Sequence, residues 1–162
     1  MSESKNRIRV RAATSDDIDM IVDFNTAMAL ETESKTLPRD VLSAGVRAVF
    51  DEAKRGFYRV AEIDGRVVGC LMITFEWSDW RNGDWWWLQS VYVHPEFRRH
   101  GVFRAMYEDI ETSARSTRGV VGLRLYVERK NRRAQSTYVS FGMHEAAYAM
   151  FAMNIEPRIV VY

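Results

Sequence analysis

The chain has 162 residues, 47% of them hydrophobic, with 23 Lys plus Arg against 22 Asp plus Glu and a single cysteine, Cys70. That is one domain's length with enough apolar material for a core, and the balanced charge gives no global field for nucleic acid or an anionic membrane. One cysteine excludes an internal disulfide and multi-cysteine metal sites, and His94, His100 and His144 show no ligand spacing, so no metal is expected. The opening "MSESKNRIRV" lacks a signal peptide's apolar run, and no stretch reaches the roughly 18 apolar residues of a membrane span. A cytoplasmic protein with no membrane partner is the expectation.

In chain order, "RIRVRAA" alternates as a strand and "TSDDIDMIVDFNTAMALE" follows as a helix, with Thr14 or Ser15 as N-cap and acids in its first turn. After the polar "ESKTLP", the stretch "RDVLSAGVRAVFDEAKRG" reads as a second amphipathic helix closed by Gly56. Asp64-Gly65 between two apolar runs predicts a tight hairpin, because that dipeptide accepts positive φ. Asn82-Gly83 breaks the pattern again, and "WWWLQSVYV" resumes as a strand pairing back on the one before. A helix then runs to about Arg115, "GVVGLRLYVE" is a strand, "NRRAQSTYVSFG" a short helix closed by Gly142, and "AAYAMFAMNI" a last strand. The order β, α, α, β, β, β, α, β, α, β defines a mixed α/β layer structure. "EPRIVVY" at the end reads equally as a tail or an edge strand.

The most informative stretch is "RRHGVFR", residues 98–104, where a strand gives way to a helix. A helix N-terminus carries unsatisfied N–H groups and about half a positive charge, so a glycine-containing loop entering it forms an anion site. Gly101 allows close backbone approach, and Arg98, Arg99 and Arg104 add charge-assisted bonds that suit a pyrophosphate. The same residues read equally as a basic, solvent-exposed helix start. A dinucleotide fingerprint needs more glycines, and the Gly-Lys-Ser/Thr ending of an NTPase phosphate loop is absent.

"VYVHPEFRRHGVF" followed by "LRLYVERKNRRAQSTYVSFGM" resembles the GNAT superfamily of acetyl-CoA-dependent N-acetyltransferases. Arg98 and Gly101 match the Arg/Gln-x-x-Gly-x-Gly/Ala signature, whereas Phe103 stands at its last position. Asn131, Ala134, Tyr138 and Phe141-Gly142 meet the second half of the family pattern. The resemblance covers nearly the whole chain and implies a single N-acetyltransferase domain over 1–162, with a core of about 7–155. It implies a mixed, mostly antiparallel sheet splayed at its centre, with helices on both faces. Acetyl-CoA would be the co-substrate, its pantetheine arm pairing with the strand at Val91, Tyr92 and Val93. Its pyrophosphate would rest on Arg99, His100, Gly101, Val102, Phe103 and Arg104, with Asn131 and Ala134 also on the cofactor. If Phe103 already lies in the first helical turn, its ring points into the core and leaves the phosphate space open.

Acetyl transfer to an amine needs a base, an oxyanion stabiliser and an acid for the leaving thiolate. A strand N–H near Val91 suits the oxyanion, and Tyr138 is the expected acid. Gln89 and Ser90 stand where many family members carry a glutamate, and neither titrates near neutral pH. Glu76 is therefore the first choice of base, because "TFEWSDW" surrounds it with aromatics that would desolvate it. Glu31, Glu33, Trp77 and Trp80 are expected at the acceptor, a small or amino-acid-like primary amine. Alternation sends Trp85 and Trp87 to one face and Trp86 to the other. Cys70 and the methionines read as packing. Three other readings compete: an acyl-CoA sensor without turnover, a protein N-terminal or lysine acetyltransferase, and a nucleic-acid binder using the arginine turn. Homodimers through the C-terminal strands are common in the family and are an expectation here.

Overall fold

A computed structural model describes residues 7–155. These fall into two compact units, the first ending at Leu125 and the second beginning at Tyr126. The first unit holds five strands: β1 (Arg9–Ala12), β2 (Phe57–Ile63), β3 (Arg66–Ser78), β4 (Gly83–Val93) and β5 (Val120–Leu125). They lie side by side in that order. The first three ladders are antiparallel and β4–β5 is parallel, as expected of a strand reached through the crossover helix α3 (Val102–Ser116). Helices α1 (Ile18–Glu33) and α2 (Arg39–Asp51) intervene between β1 and β2.

The sheet is covered on both faces. Cys70 and Tyr92 form one buried cluster with Ile18, Ile21, Val22 and Phe24 of α1 and Val46 of α2. A Cβ at Gly69, one residue from Cys70 and so on the opposite face, would meet Val102 and Met106 of α3. The Asp64-Gly65 hairpin forms as expected, with φ of 52° and 77°. Thr14 caps a 3-10 turn, Ser15–Asp17, that leads into α1. Helix α2 ends at Asp51, and Gly56 instead closes a separate short turn, Ala53–Arg55.

The second unit is built on α4 (Arg132–Ser140). Asn131 caps it, its Oδ1 accepting from the Ala134 N–H at 3.0 Å. At its other end Gly142 (φ 87°) donates to the Val139 carbonyl, and Met143 to that of Tyr138, which is a Schellman closure. One expectation fails here: "AAYAMFAMNI" is not a strand. Residues 146–155 form no strand, and Tyr148 (85%), Phe151 (94%) and Ile155 (81%) are exposed. An apolar run becomes a strand only where a partner takes its backbone hydrogen bonds. "EPRIVVY" lies outside the described residues.

Strand β1 is tied by charge to the turn before α1 and to β2. Arg11 donates to both carboxylate oxygens of Asp17 (2.7 and 3.0 Å) and, through Nε, to Glu62 on β2 (2.7 Å). Asp17 is 6% exposed, and its Oδ2 also accepts from the Thr14 N–H. Arg11 holds its carboxyl below the usual range, helped by that N–H. The pair therefore stabilises the fold in full above about pH 4, the ordinary carboxylate value. Its contribution disappears as the pH falls through the lowered native value. Asp17→Ala is expected to cost about 2 kcal/mol in urea unfolding at pH 7, because Arg11 then keeps only Glu62 and the Thr14 N–H loses its acceptor, and less at pH 3.

Candidate active site

The β4–β5 ladder runs from Asp84–Val120 to Leu88–Leu125 and stops, while β4 continues through Gln89, Ser90, Val91, Tyr92 and Val93. On the other side, the β3 register jumps from Cys70–Tyr92 to Met72–Gln89, so two β4 residues, Ser90 and Val91, stand opposite Leu71 alone. This is a β-bulge, and Ser90 takes a left-handed φ of 49° to make it. The His94 N–H donates to the Val68 carbonyl, which fixes the alternation of the ladder above the bulge. Tyr92 then exchanges bonds with Cys70, and Val93, opposite Gly69, turns its N–H and carbonyl away from β3 toward the open edge. Val93 thus presents backbone groups at that edge, and Tyr92 turns its own toward β3. The Tyr92 side chain lies in the core, its ring 5.1 Å from that of Phe24.

This edge leads directly into the arginine turn. Arg99 (φ 67°) and Gly101 (φ 85°) are both left-handed and exposed, and α3 starts at Val102. Gly101 is the N-cap, and no side chain caps the helix nor any acid occupies its first turn. Val102, Phe103 and Arg104 therefore form the first turn, where a helix carries its positive dipole end. Phe103 lies inside that turn, half-buried, with its ring edge-on to the buried Tyr107 at 6.4 Å. Its ring packs along the helix, which is the arrangement that accommodates a side chain in place of the family's Gly or Ala.

Arg98 is bound on the strand side. Its Nε donates to the Val93 carbonyl at 2.8 Å and its Nη2 to Glu31 at 2.7 Å. Glu33 pairs with Lys35 at 3.0 Å. Trp77 and Trp80 are 60% and 92% exposed.

Glu76 stands at the other end of β4, in register with Trp85. Its Oε2 accepts from Trp87 Nε1 at 3.1 Å and from Arg124 of β5. The surrounding tryptophans do not bury it, for its side chain is 46% exposed. Glu31 and Glu76 are thus engaged at opposite ends of β4 and do not share one group. On the Glu76 face, Arg124 lies 3.9 Å above the Trp85 ring. Gly122 makes room for that ring, since a Cβ there would come within 2.4 Å of it. Thr74 and Gln89 continue the same face toward the bulge, joined by a 2.5 Å hydrogen bond. Trp86 faces the other way and is buried, as alternation required.

Arg124 and the Ser90 bulge escaped sequence reasoning. An arginine between Leu123 and Leu125 was the only signal for the first, and nothing in "LQSVYV" marks the second. Cys70 is fully buried and its thiol is pushed up to about 12 by that burial, which leaves it a core residue. Burial also raises the Tyr138 phenol above its ordinary value, so it is protonated at neutral pH. A cavity of about 280 Å³ lined by Phe57, Arg59, Trp86, Ser113, Ser116 and Thr117 lies on the α3 face. Among the described residues no helix is long and apolar enough to cross a membrane.

The family model described as Acetyltransferase (GNAT) matches residues 23–143, well over half of the chain. The chain belongs to that family, and acetyl transfer is the reaction class that membership carries. A possible acetyltransferase from Clostridium difficile 630 is 43% identical, with a TM-score of 0.86 over 92% of this chain and 98% of that one. An aminoglycoside N-acetyltransferase, AAC(6')-Iy, in complex with CoA shares the fold at 14% identity, with a TM-score of 0.73 over 92% and 95% of the two chains. A ribosomal-protein-alanine N-acetyltransferase from Brucella melitensis biovar Abortus 2308 does so at 14% identity and 0.74, over 93% and 100%. No curated protein sequence matches the chain.

The left-handed turn has a measurable cost. A Cβ at Gly101 would meet only Ile8 Cδ1, at 4.0 Å, so Gly101→Ala strains backbone without a clash. It is expected to lower stability by about 1 kcal/mol, read from the urea midpoint at unchanged m-value.

Proposed function

We propose that the chain transfers an acetyl group from acetyl-CoA to a primary amine of a small or amino-acid-like acceptor, by direct attack in a ternary complex. The observation that carries this reading is the continuity of the open β4 edge with the uncapped start of α3. An extended amide chain ending in a pyrophosphate fits that pair of features: the edge offers strand-like hydrogen bonds, and the helix start offers N–H donors and positive potential. The CoA bound in AAC(6')-Iy, which shares the fold, supports the same choice of co-substrate.

In this reading Val91 and Val93 pair with the pantetheine arm, and Arg99 to Arg104 receive the pyrophosphate. The co-substrate supplies the activated acetyl thioester. Backbone at the Ser90–Val91 bulge stabilises negative charge on the thioester oxygen, because a bulge turns N–H groups out of the ladder. The amine must lose a proton to attack. Glu76 is the proposed base, acting through water along the polar row of Thr74 and Gln89 on its face. Tyr138 is the proposed acid: its raised phenol keeps the proton at neutral pH and yields it to the departing thiolate. Asn131, whose Oδ1 is occupied by its capping bond, retains amide hydrogens for the pantetheine. Trp77, Trp80 and Glu33 remain proposed at the acceptor side, the first two for their exposed aromatic faces, whereas both carboxylate oxygens of Glu31 are taken by Tyr92 and Arg98.

Acetyl-CoA at a hundred times its Kd is expected to raise Tm by roughly 5–10 °C, since such a concentration adds about 2.7 kcal/mol to a domain of this size. An unchanged Tm at millimolar acetyl-CoA contradicts the co-substrate assignment. Across an amine panel followed by released thiol, Tyr138→Phe is expected to lower kcat about 100-fold while the acetyl-CoA-induced shift persists. Equal kcat in the variant removes Tyr138 from the chemistry.

A further inference from the structure

Glu31 lies in the last turn of α1, where a helix C-terminus disfavours an acid unless groups outside the helix hold it. Two groups do. Its Oε1 accepts from the Tyr92 hydroxyl at 3.0 Å and its Oε2 from Arg98 Nη2 at 2.7 Å. The same guanidinium bonds the Val93 carbonyl through Nε and lies 5.3 Å above the Tyr92 ring. Tyr92 is in turn fixed against Phe24 of α1. The result is a closed brace running from α1 to the open β4 edge and to the first residue of the arginine turn.

That residue is where order is needed. Immediately after Arg98 the chain enters two left-handed residues, Arg99 and Gly101, both exposed, and then a helix start without a cap. A cradle of backbone N–H groups binds an anion well only if its shape exists beforehand, because ordering a loop during binding subtracts from affinity. Arg98 is directed at the strand and at Glu31, so in this arrangement it organises the turn's entrance instead of reaching out to a phosphate.

We propose that Glu31, acting through Arg98 and Tyr92, is a positioning residue that holds the pyrophosphate-binding turn in its binding shape. This rests on the acetyl-CoA reading of the site. It makes a prediction opposite in sign to the alternative in which Glu31 merely restrains an arginine that would otherwise clamp phosphate.

The test is isothermal titration of the full chain with CoA and with pantetheine, which has no pyrophosphate. Glu31→Ala is expected to weaken CoA about tenfold and leave pantetheine unchanged. Tyr92→Phe, which removes one hydroxyl from the brace and leaves the core ring in place, is expected to weaken CoA two- to threefold. Glu31→Gln, which retains one acceptor oxygen, is expected to recover part of the loss. Unchanged or tighter CoA binding by a folded Glu31→Ala protein overturns the proposal, as does an equal loss for CoA and pantetheine. Should Glu31→Ala fail to fold, an unchanged CoA affinity in Tyr92→Phe overturns it. If the wild-type chain itself does not bind CoA, the acetyl-CoA reading falls first, and this inference with it.

Discussion

The last five residues of β4 have no β5 partner, and much of the rest of the molecule follows from that. A central strand whose polar backbone faces an open edge must have it satisfied by solvent, a side chain or a guest. Here Arg98 takes the Val93 carbonyl, and the proposed guest takes the remainder. The left-handed Ser90 adds one residue to β4, and such a bulge bends a strand and turns its backbone groups out of the regular ladder. The open edge then delivers the chain into the arginine turn, so the strand-like site and the anion site are consecutive in sequence and held by one element.

Around that edge the two faces divide the labour. The α3 face anchors the turn from below, with Val102 and Met106 buried one helical turn apart. The α1–α2 face is apolar only beneath the helices; beyond them it becomes the row of Glu76, Thr74 and Gln89, flanked by Trp85, Trp87 and Arg124. This face thus carries aromatic rings and both signs of charge.

Much of this was legible in the sequence because the signals were local. Asp64-Gly65 marked a two-residue turn, alternation separated Trp86 from Trp85 and Trp87, and Gly101 among arginines marked the helix start. The failures were non-local. Residues 146–155 have the pattern of a strand, but pairing is decided by a neighbour the pattern does not contain. Glu31 looked like a free acid at a helix end because its partners, Tyr92 and Arg98, are more than sixty residues away. Glu76 looked desolvated by adjacent tryptophans, yet successive strand residues face opposite sides, so Trp77 cannot cover it.

The account's central claim is that the β4 edge and the start of α3 form one binding surface for acetyl-CoA. Amide hydrogen exchange with and without CoA tests it at residue level. The claim predicts slowed exchange at Val91, Val93 and Val102 to Arg104, with little change along β1 or β2. Protection confined to the outer edge of β5 or to the cavity beside Ser113, with none at those five amides, would contradict it.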